Sequence, residues 1–163
     1  MTDFSKVTAG EIMKRNLITA RPDQEATELE RLLIDKNISG VPVVEKGRLL
    51  GIVSRSDITR VQVMGDALDS QIRDELHWDE RQGDGFKKPE GEQFEMFQDR
   101  LKRFKVRDLM RSQVVTCTAS TSVSQLAGLM GKNHIHRVVV VDGEQPIGIV
   151  SSLDIVKLVA QAG

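Results

Sequence analysis

The chain has little that would staple or anchor it. Its 163 residues include one cysteine, Cys117, which excludes an intramolecular disulfide framework. Tyrosine is absent and aromatic residues make up 4%. No apolar run approaches the roughly 20 residues that a membrane-spanning helix needs. The opening "MTDFSKVTAGEIMKRN" is broken by charges and lacks the apolar centre of a secretory leader. Charge of one sign is missing as well. The 23 Lys and Arg against 24 Asp and Glu leave a net charge of −1, with no overall field toward nucleic acid or anionic lipid. These absences predict a soluble, cytoplasmic protein with no nucleic-acid and no membrane partner. Hydrophobic content of 39% and charged content of 29% are those of a globular chain, long enough for about one domain or two very small ones.

What is present is a repeat. "GIVSRSDI" at 51–58 returns as "GIVSSLDI" at 148–155. At this offset of 97, residues 9–61 align with 106–158 without a gap. "EIMKRNLIT" (11–19) falls on "DLMRSQVVT" (108–116), and "ISGVPVVEKGRLLGIVSRSDI" (38–58) on "IHRVVVVDGEQPIGIVSSLDI" (135–155). Met13 and Met110, Leu29 and Leu126, Gly51 and Gly148, and Asp57 and Asp154 are among the identical pairs. Two diverged copies of one unit explain this match. A single copy of about 55 residues is marginal alone, whereas two can pack together and bury both faces.

Each copy reads β-α-β-β-α, which predicts an α/β (α+β) fold. Thr8 and Glu11 form a capping-box pattern for a short helix. "LIT" and "VVT" are short β-like runs. Ala26, Leu29, Leu32 and Leu33 recur at helical spacing, as do Val123, Leu126, Leu129 and Met130. "VPVV" and "VVVV", then "LLGIVS" and "PIGIVS", are strand-like runs around turns at Gly47 and Gly143. Ser54 and Ser151 each start a final helix, with an aspartate three residues on. That spacing is close to a capping box. It also suits a ligand. A helix start offers unpaired N–H groups and a favourable dipole end to phosphate. A carboxylate accepts both hydroxyls of a vicinal diol.

The order of elements and the G-h-h-S-x-x-D closure (h apolar) resemble the cystathionine β-synthase (CBS) domain, and two copies resemble a CBS pair, or Bateman module. The resemblance covers unit 1 at 7–63 and unit 2 at 104–161, with a helical insert or linker at 64–105. It implies two units related by a pseudo-twofold axis, with clefts between them that bind an adenine nucleotide (AMP, ADP or ATP) or S-adenosylmethionine as a regulatory ligand. Carried onto this sequence, it makes Asp57 and Asp154 the ribose ligands and Ser54 and Ser151 the phosphate-side hydroxyls. Ile18, Thr19 and Ala20, with Val115, Thr116 and Cys117, become the adenine strands.

The copies differ before their second strand. "NHIHRVVVV" holds His134, His136 and Arg137 where the first copy has Asn37, Ser39 and Gly40. The H-x-H-R stretch is similar to one in adenylate-sensing kinase regulatory subunits, whose His-Arg pair meets phosphates. Arg137 and His136 are therefore expected on the phosphate side. The alternatives are that His134 and Arg137 are solvated strand-edge residues, or that His134 and His136 share a strand face as two metal ligands. With no nearby third ligand they make a poor zinc site, and no metal site is assigned. Cys117 reads as a small buried thiol.

The insert carries five of the six aromatic residues: Trp78, Phe86, Phe94, Phe97 and Phe104. Leu68, Ile72 and Leu76 predict one amphipathic helix. Phe94, Phe97, Leu101 and Phe104 predict a second over 92–105. Phe86 to Pro89 lie in a Gly- and Pro-containing loop. The pair of helices either covers its own module or presents a surface to a second copy or a client protein. The basic run 100–111 is either a solvated helix face or an attractor of anionic ligand. No nucleophile–base set, P-loop or G-x-G-x-x-G stands out, and no catalytic residue is assigned. The expectation is a regulatory, homodimeric nucleotide-binding module rather than an enzyme. The alternative is a structural or interaction module whose clefts are vestigial.

Overall fold

A computed structural model describes residues 3–64 and 92–162. The first repeat forms α1 (Ala9–Ile12), α2 (Ala26–Asp35), β1 (Gly40–Glu45), β2 (Arg48–Ser54) and α3 (Arg55–Met64). Helix α4 (Glu92–Leu101) follows. The second repeat forms α5 (Val106–Leu109), β3 (Thr116–Cys117), α6 (Val123–Asn133), β4 (Arg137–Asp142), β5 (Gln145–Ser151) and α7 (Ser152–Ala162). β1 and β4 bury their residues in the same order, as do β2 and β5. The shared apolar pattern therefore specifies the same inward face in both copies.

In the second repeat β3 runs parallel to β4, which pairs antiparallel with β5. In the first, β1 and β2 form a two-stranded sheet. The expected strand "LIT" (17–19) does not form there, and a single parallel bridge from the next residue, Ala20, to Val43 stands in its place. The run "VVT" likewise yields a strand only at Thr116–Cys117. α2 buries Ala26, Leu29 and Leu33, and α6 buries Val123, Leu126 and Met130. Leu32 and Leu129 are only half-buried at the edges of those stripes.

The chain separates into two compact units that do not follow the repeats. One, the C-unit, comprises Met1–Ile18, Lys46–Leu49 and Gln113–Gly163. The other, the N-unit, comprises Thr19–Glu45 and Leu50–Ser112. Each thus joins the body of one repeat to the leading segment of the other. In the C-unit, Ala9 N–H donates to Thr121 O at 2.7 Å, Gly10 to Ala119 at 2.9 Å, and Val123 to Val7 at 2.8 Å. In the N-unit the offset-matched bonds run from Val106 to Gln24 at 2.9 Å, Arg107 to Pro22 at 3.0 Å, and Ala26 to Phe104 at 3.1 Å. Lys14 exchanges both backbone bonds with Ile149, and Arg111 does the same with Ile52.

The exchange explains two letters of the repeat. A Cβ on Gly148 would overlap the Met13 side chain, and one on Gly51 would lie 2.6 Å from Arg111 O and 3.0 Å from Met110 Sδ. Glycine is required where a leading segment crosses the last strand, and the methionine fills the space beside it. In the C-unit, Met13 joins Leu126, Met130, Val138, Val140 and Val150 in one buried cluster.

Helix α4 belongs to the N-unit and packs on α2 and α3. Phe97 and Leu101 are buried, and Gln98 Nε2 donates to Glu30 Oε2 at 2.6 Å. The helix expected over 92–105 stops at Leu101. Arg103 and Phe104 close tighter turns onto Arg100 and Leu101, and Phe104 then gives its carbonyl to Ala26. The expected helix around Leu68, Ile72 and Leu76, and the loop Phe86 to Pro89, lie outside the described residues.

Candidate functional site

Both Ser-x-x-Asp motifs sit at helix starts. In the N-unit, Ser54 precedes α3, and its N–H and Oγ both donate to Asp57 Oδ2 at 2.8 Å. In the C-unit, Ser151 precedes α7 and donates to Asp154 Oδ2 from N–H at 2.8 Å and from Oγ at 2.6 Å. Asp154 N–H returns a bond to Ser151 Oγ at 3.3 Å. The reciprocal capping box is thus formed at Ser151, and its serine-to-acid half at Ser54, with aspartate in the place usually held by Glu or Gln. It fixes each acid's rotamer and leaves Oδ1 as the oxygen aimed elsewhere.

Sequence reasoning missed what faces Oδ1. Asp154 Oδ1 lies 3.5 Å from Lys14 Nζ. Asp57 Oδ1 accepts from Arg111 Nε at 3.2 Å and lies 3.4 Å from Arg60 Nη2. Lys14 and Arg111 are offset mates, each following the "EIM" or "DLM" triplet. Two cations at one repeat position, with two acids at another, were the available signal. The exchange of leading segments makes the pairs. Burial pushes the Asp154 carboxyl up, but the Ser151 hydroxyl and N–H and the Lys14 ammonium outweigh it and hold it below the usual carboxylate value.

The remaining candidates divide by unit. In the C-unit, Arg137 stands opposite Ser151 in the β4–β5 register, and His136 O accepts from Ser152 N–H at 2.9 Å. The His136–Arg137 pair is therefore a strand neighbour of the Ser151–Asp154 helix start. Thr116 and Cys117 pair beside Val139 and Val140, and Val115 precedes them, half-buried. Ile18 also falls in the C-unit, whereas Thr19 and Ala20 belong to the N-unit. Ala20 bonds to both sides of Val43, through Pro42 O and Val44 N–H. Ser39 O accepts from Arg55 N–H at 2.9 Å, the counterpart of the His136 contact.

Two expectations need correction. His134 is not on a strand. It ends α6 in the left-handed conformation at φ 51°, as Asn37 does after α2 at φ 48°. It therefore does not share a strand face with His136. The basic run 100–111 is also not a free attractor throughout, because Lys102 pairs with Asp99 at 2.8 Å and Arg111 with Asp57. Cys117 is buried, and burial pushes its thiol up against an opposing bond from Thr121.

Two repeats, each with a helix, a β-hairpin and a closing helix that starts at a Ser-x-x-Asp motif, define a paired-repeat α/β module. The CBS-domain family model matches residues 9–63 and 106–161, and the chain belongs to the CBS-domain family. It is similar to the uncharacterized protein MJ1426 of Methanocaldococcus jannaschii, 35% identical over 90% of this chain and 88% of that one. Another curated relative is longer, and the chain spans 42% of it. Among solved structures, the CBS domain pair of protein MJ0100 in complex with 5′-methylthioadenosine and S-adenosyl-L-methionine has a TM-score of 0.68. It is 23% identical, over 96% of this chain and 98% of that one. CBSX2 in complex with AMP has a TM-score of 0.69, with 23% identity and the same coverages of 96% and 98%. No helix among the described residues is long and apolar enough to cross a membrane.

Proposed function

We propose that the chain is a stand-alone regulatory CBS pair that binds an adenine nucleotide or adenosyl compound and passes the signal on by changing conformation or partner affinity, as a homodimer acting on a separate client protein. The observation that carries this reading is the C-unit helix start. There an acid suited to a diol is held by its own serine, and Arg137, with His136 before it, is adjacent in the strand register. Similarity of fold to structures holding AMP and S-adenosyl-L-methionine supports the ligand class. Signalling requires that the ligand prefer one arrangement of the chain over another. Thermal-shift and calorimetric panels of AMP, ADP, ATP and S-adenosylmethionine test it, since a ligand of the native state raises the melting temperature. No binding at millimolar ligand would refute the proposal. The reading is regulation without catalysis, and turnover of a bound nucleotide that depends on His136 would contradict it.

A second reading, an interaction module with vestigial ligand sites, is favoured by α7. Leu153, Val156 and Val159 are 56%, 60% and 51% exposed and recur every third residue. Such a stripe suits a protein partner. Of the insert's described part, Phe97 and Leu101 are buried within their own unit and do not offer such a surface. Val156→Glu should then abolish partner capture or self-association in sedimentation and leave ligand binding unchanged.

A further inference from the structure

We propose that the two helix starts are not equivalent: Asp154 is open to a vicinal diol, whereas Asp57 is held closed by Arg111, so that the chain takes one ribonucleotide. This rests on the adenosyl-ligand reading and names the half of the chain that carries it. Both acids spend Oδ2 on their own serine, so the difference lies at Oδ1. On Asp57 that oxygen faces two guanidinium groups, and the side chain is 2% exposed. Arg111 is delivered by backbone locked to Ile52 in both directions. A planar, delocalised fork in that position matches a carboxylate and competes with a diol for the same lone pairs.

On Asp154 the corresponding oxygen meets Lys14 at 3.5 Å, the lysine side chain is 64% exposed, and the acid is 12% exposed. An ammonium on a flexible, mostly solvated stem moves aside more readily than the Arg111 guanidinium, which is 39% exposed, and it faces a less buried acid. The mate of Arg60 is Lys157, which is exposed on α7. The anion side follows the same division. Arg137 is opposite Ser151, while its mate in the first repeat is Gly40, which has no side chain to offer. Two Lys-for-Arg differences at matched positions, Lys14 for Arg111 and Lys157 for Arg60, therefore separate an open acid from an occupied one. Arg111 also has its Nη2 buried without a hydrogen-bond partner, so only part of its fork is used. Of the two contacts on Asp57 Oδ1, the Arg111 Nε bond at 3.2 Å is the shorter, and a lysine in its place removes it while Arg60 stays at 3.4 Å.

Arg111→Lys copies the Lys14 arrangement and keeps the charge; Arg111→Ala serves as the second variant. Calorimetry with AMP should give one equivalent for wild type. It should give at least about tenfold weaker binding for Asp154→Asn, as expected for a lost charged hydrogen-bond pair. In Arg111→Lys/Asp154→Asn one equivalent should return. In parallel, ligand-free protein is labelled with a water-soluble carbodiimide and glycinamide, and modification is read by mass spectrometry. Asp154 should label faster than Asp57 in wild type, and Asp57 should gain label in both Arg111 variants. Two equivalents in wild type, unchanged AMP binding in Asp154→Asn, or Asp57 labelling indifferent to Arg111 would overturn the proposal. AMP binding by no variant would instead overturn the adenosyl reading and the stoichiometry with it, and the labelling would decide the closure by Arg111 on its own.

Discussion

Met13 of the first repeat fills the space above the Cα of Gly148 in the second. The offset-matched contact sets Met110 beside Gly51. Each glycine marks the point where a leading segment crosses the body of the opposite repeat.

An alanine at either glycine should destabilise the protein, and not equally. At Gly51 the added Cβ meets a backbone carbonyl at 2.6 Å, which has nowhere to go. At Gly148 it meets the Met13 side chain, which can re-pack. Gly51→Ala is expected to cost toward the upper end of about 1–3 kcal/mol, and Gly148→Ala toward the lower. In denaturant melts, Met13→Ala combined with Gly148→Ala should be less damaging than the sum of the two changes.

Because the leading segments are exchanged, neither repeat is self-sufficient. Residues 1–63 alone leave Ala9, Gly10 and Lys14 without the backbone partners Thr121, Ala119 and Ile149. A fragment of 1–63 should show no cooperative thermal transition, and mixing it with 64–163 should restore one. A sharp transition in the isolated fragment would contradict the exchange.

Acid should act on the C-unit through Asp154. Against burial, the Ser151 bonds and the Lys14 ammonium hold its folded carboxyl below the usual carboxylate value, so its contribution is fully present above the unfolded value, about 3.9. That contribution is lost as pH falls through the folded pKa. Asp154→Asn should therefore lower the melting temperature at pH 7, and the difference from wild type should shrink as the pH falls below about 3.9. A constant difference across that range would show that the acid's charge is not what stabilises the site.

The serines cap helices whether or not a ligand binds. Ser151→Ala removes both a donor to Asp154 and an acceptor for its N–H, and should cost about 1 kcal/mol in thermal melts. Ser151→Thr should retain most of that stability. If Ser151→Ala costs nothing, the helix start is not held by this bond.

Local features were legible in the sequence because their physics is local. The Thr8–Glu11 and Ser–Asp boxes, the α2 and α6 stripes and the paired hairpins all follow from residues within a few positions of one another. The exchange was not legible, because a repeat shows what recurs and not which copy a segment pairs with. Lys14 and Arg111 were overlooked for that reason. Each belongs by numbering to one repeat and faces the acid of the other. The alternatives that put His134 on a strand overlooked its mate Asn37, a residue type tolerant of the left-handed conformation that both adopt.

The most direct measurement compares AMP with 2′-deoxy-AMP by calorimetry on the full chain. A carboxylate that accepts both ribose hydroxyls distinguishes the two, so AMP should bind and its deoxy analogue should bind at least about tenfold more weakly. Equal affinity for the two, or no binding of AMP, would contradict the account.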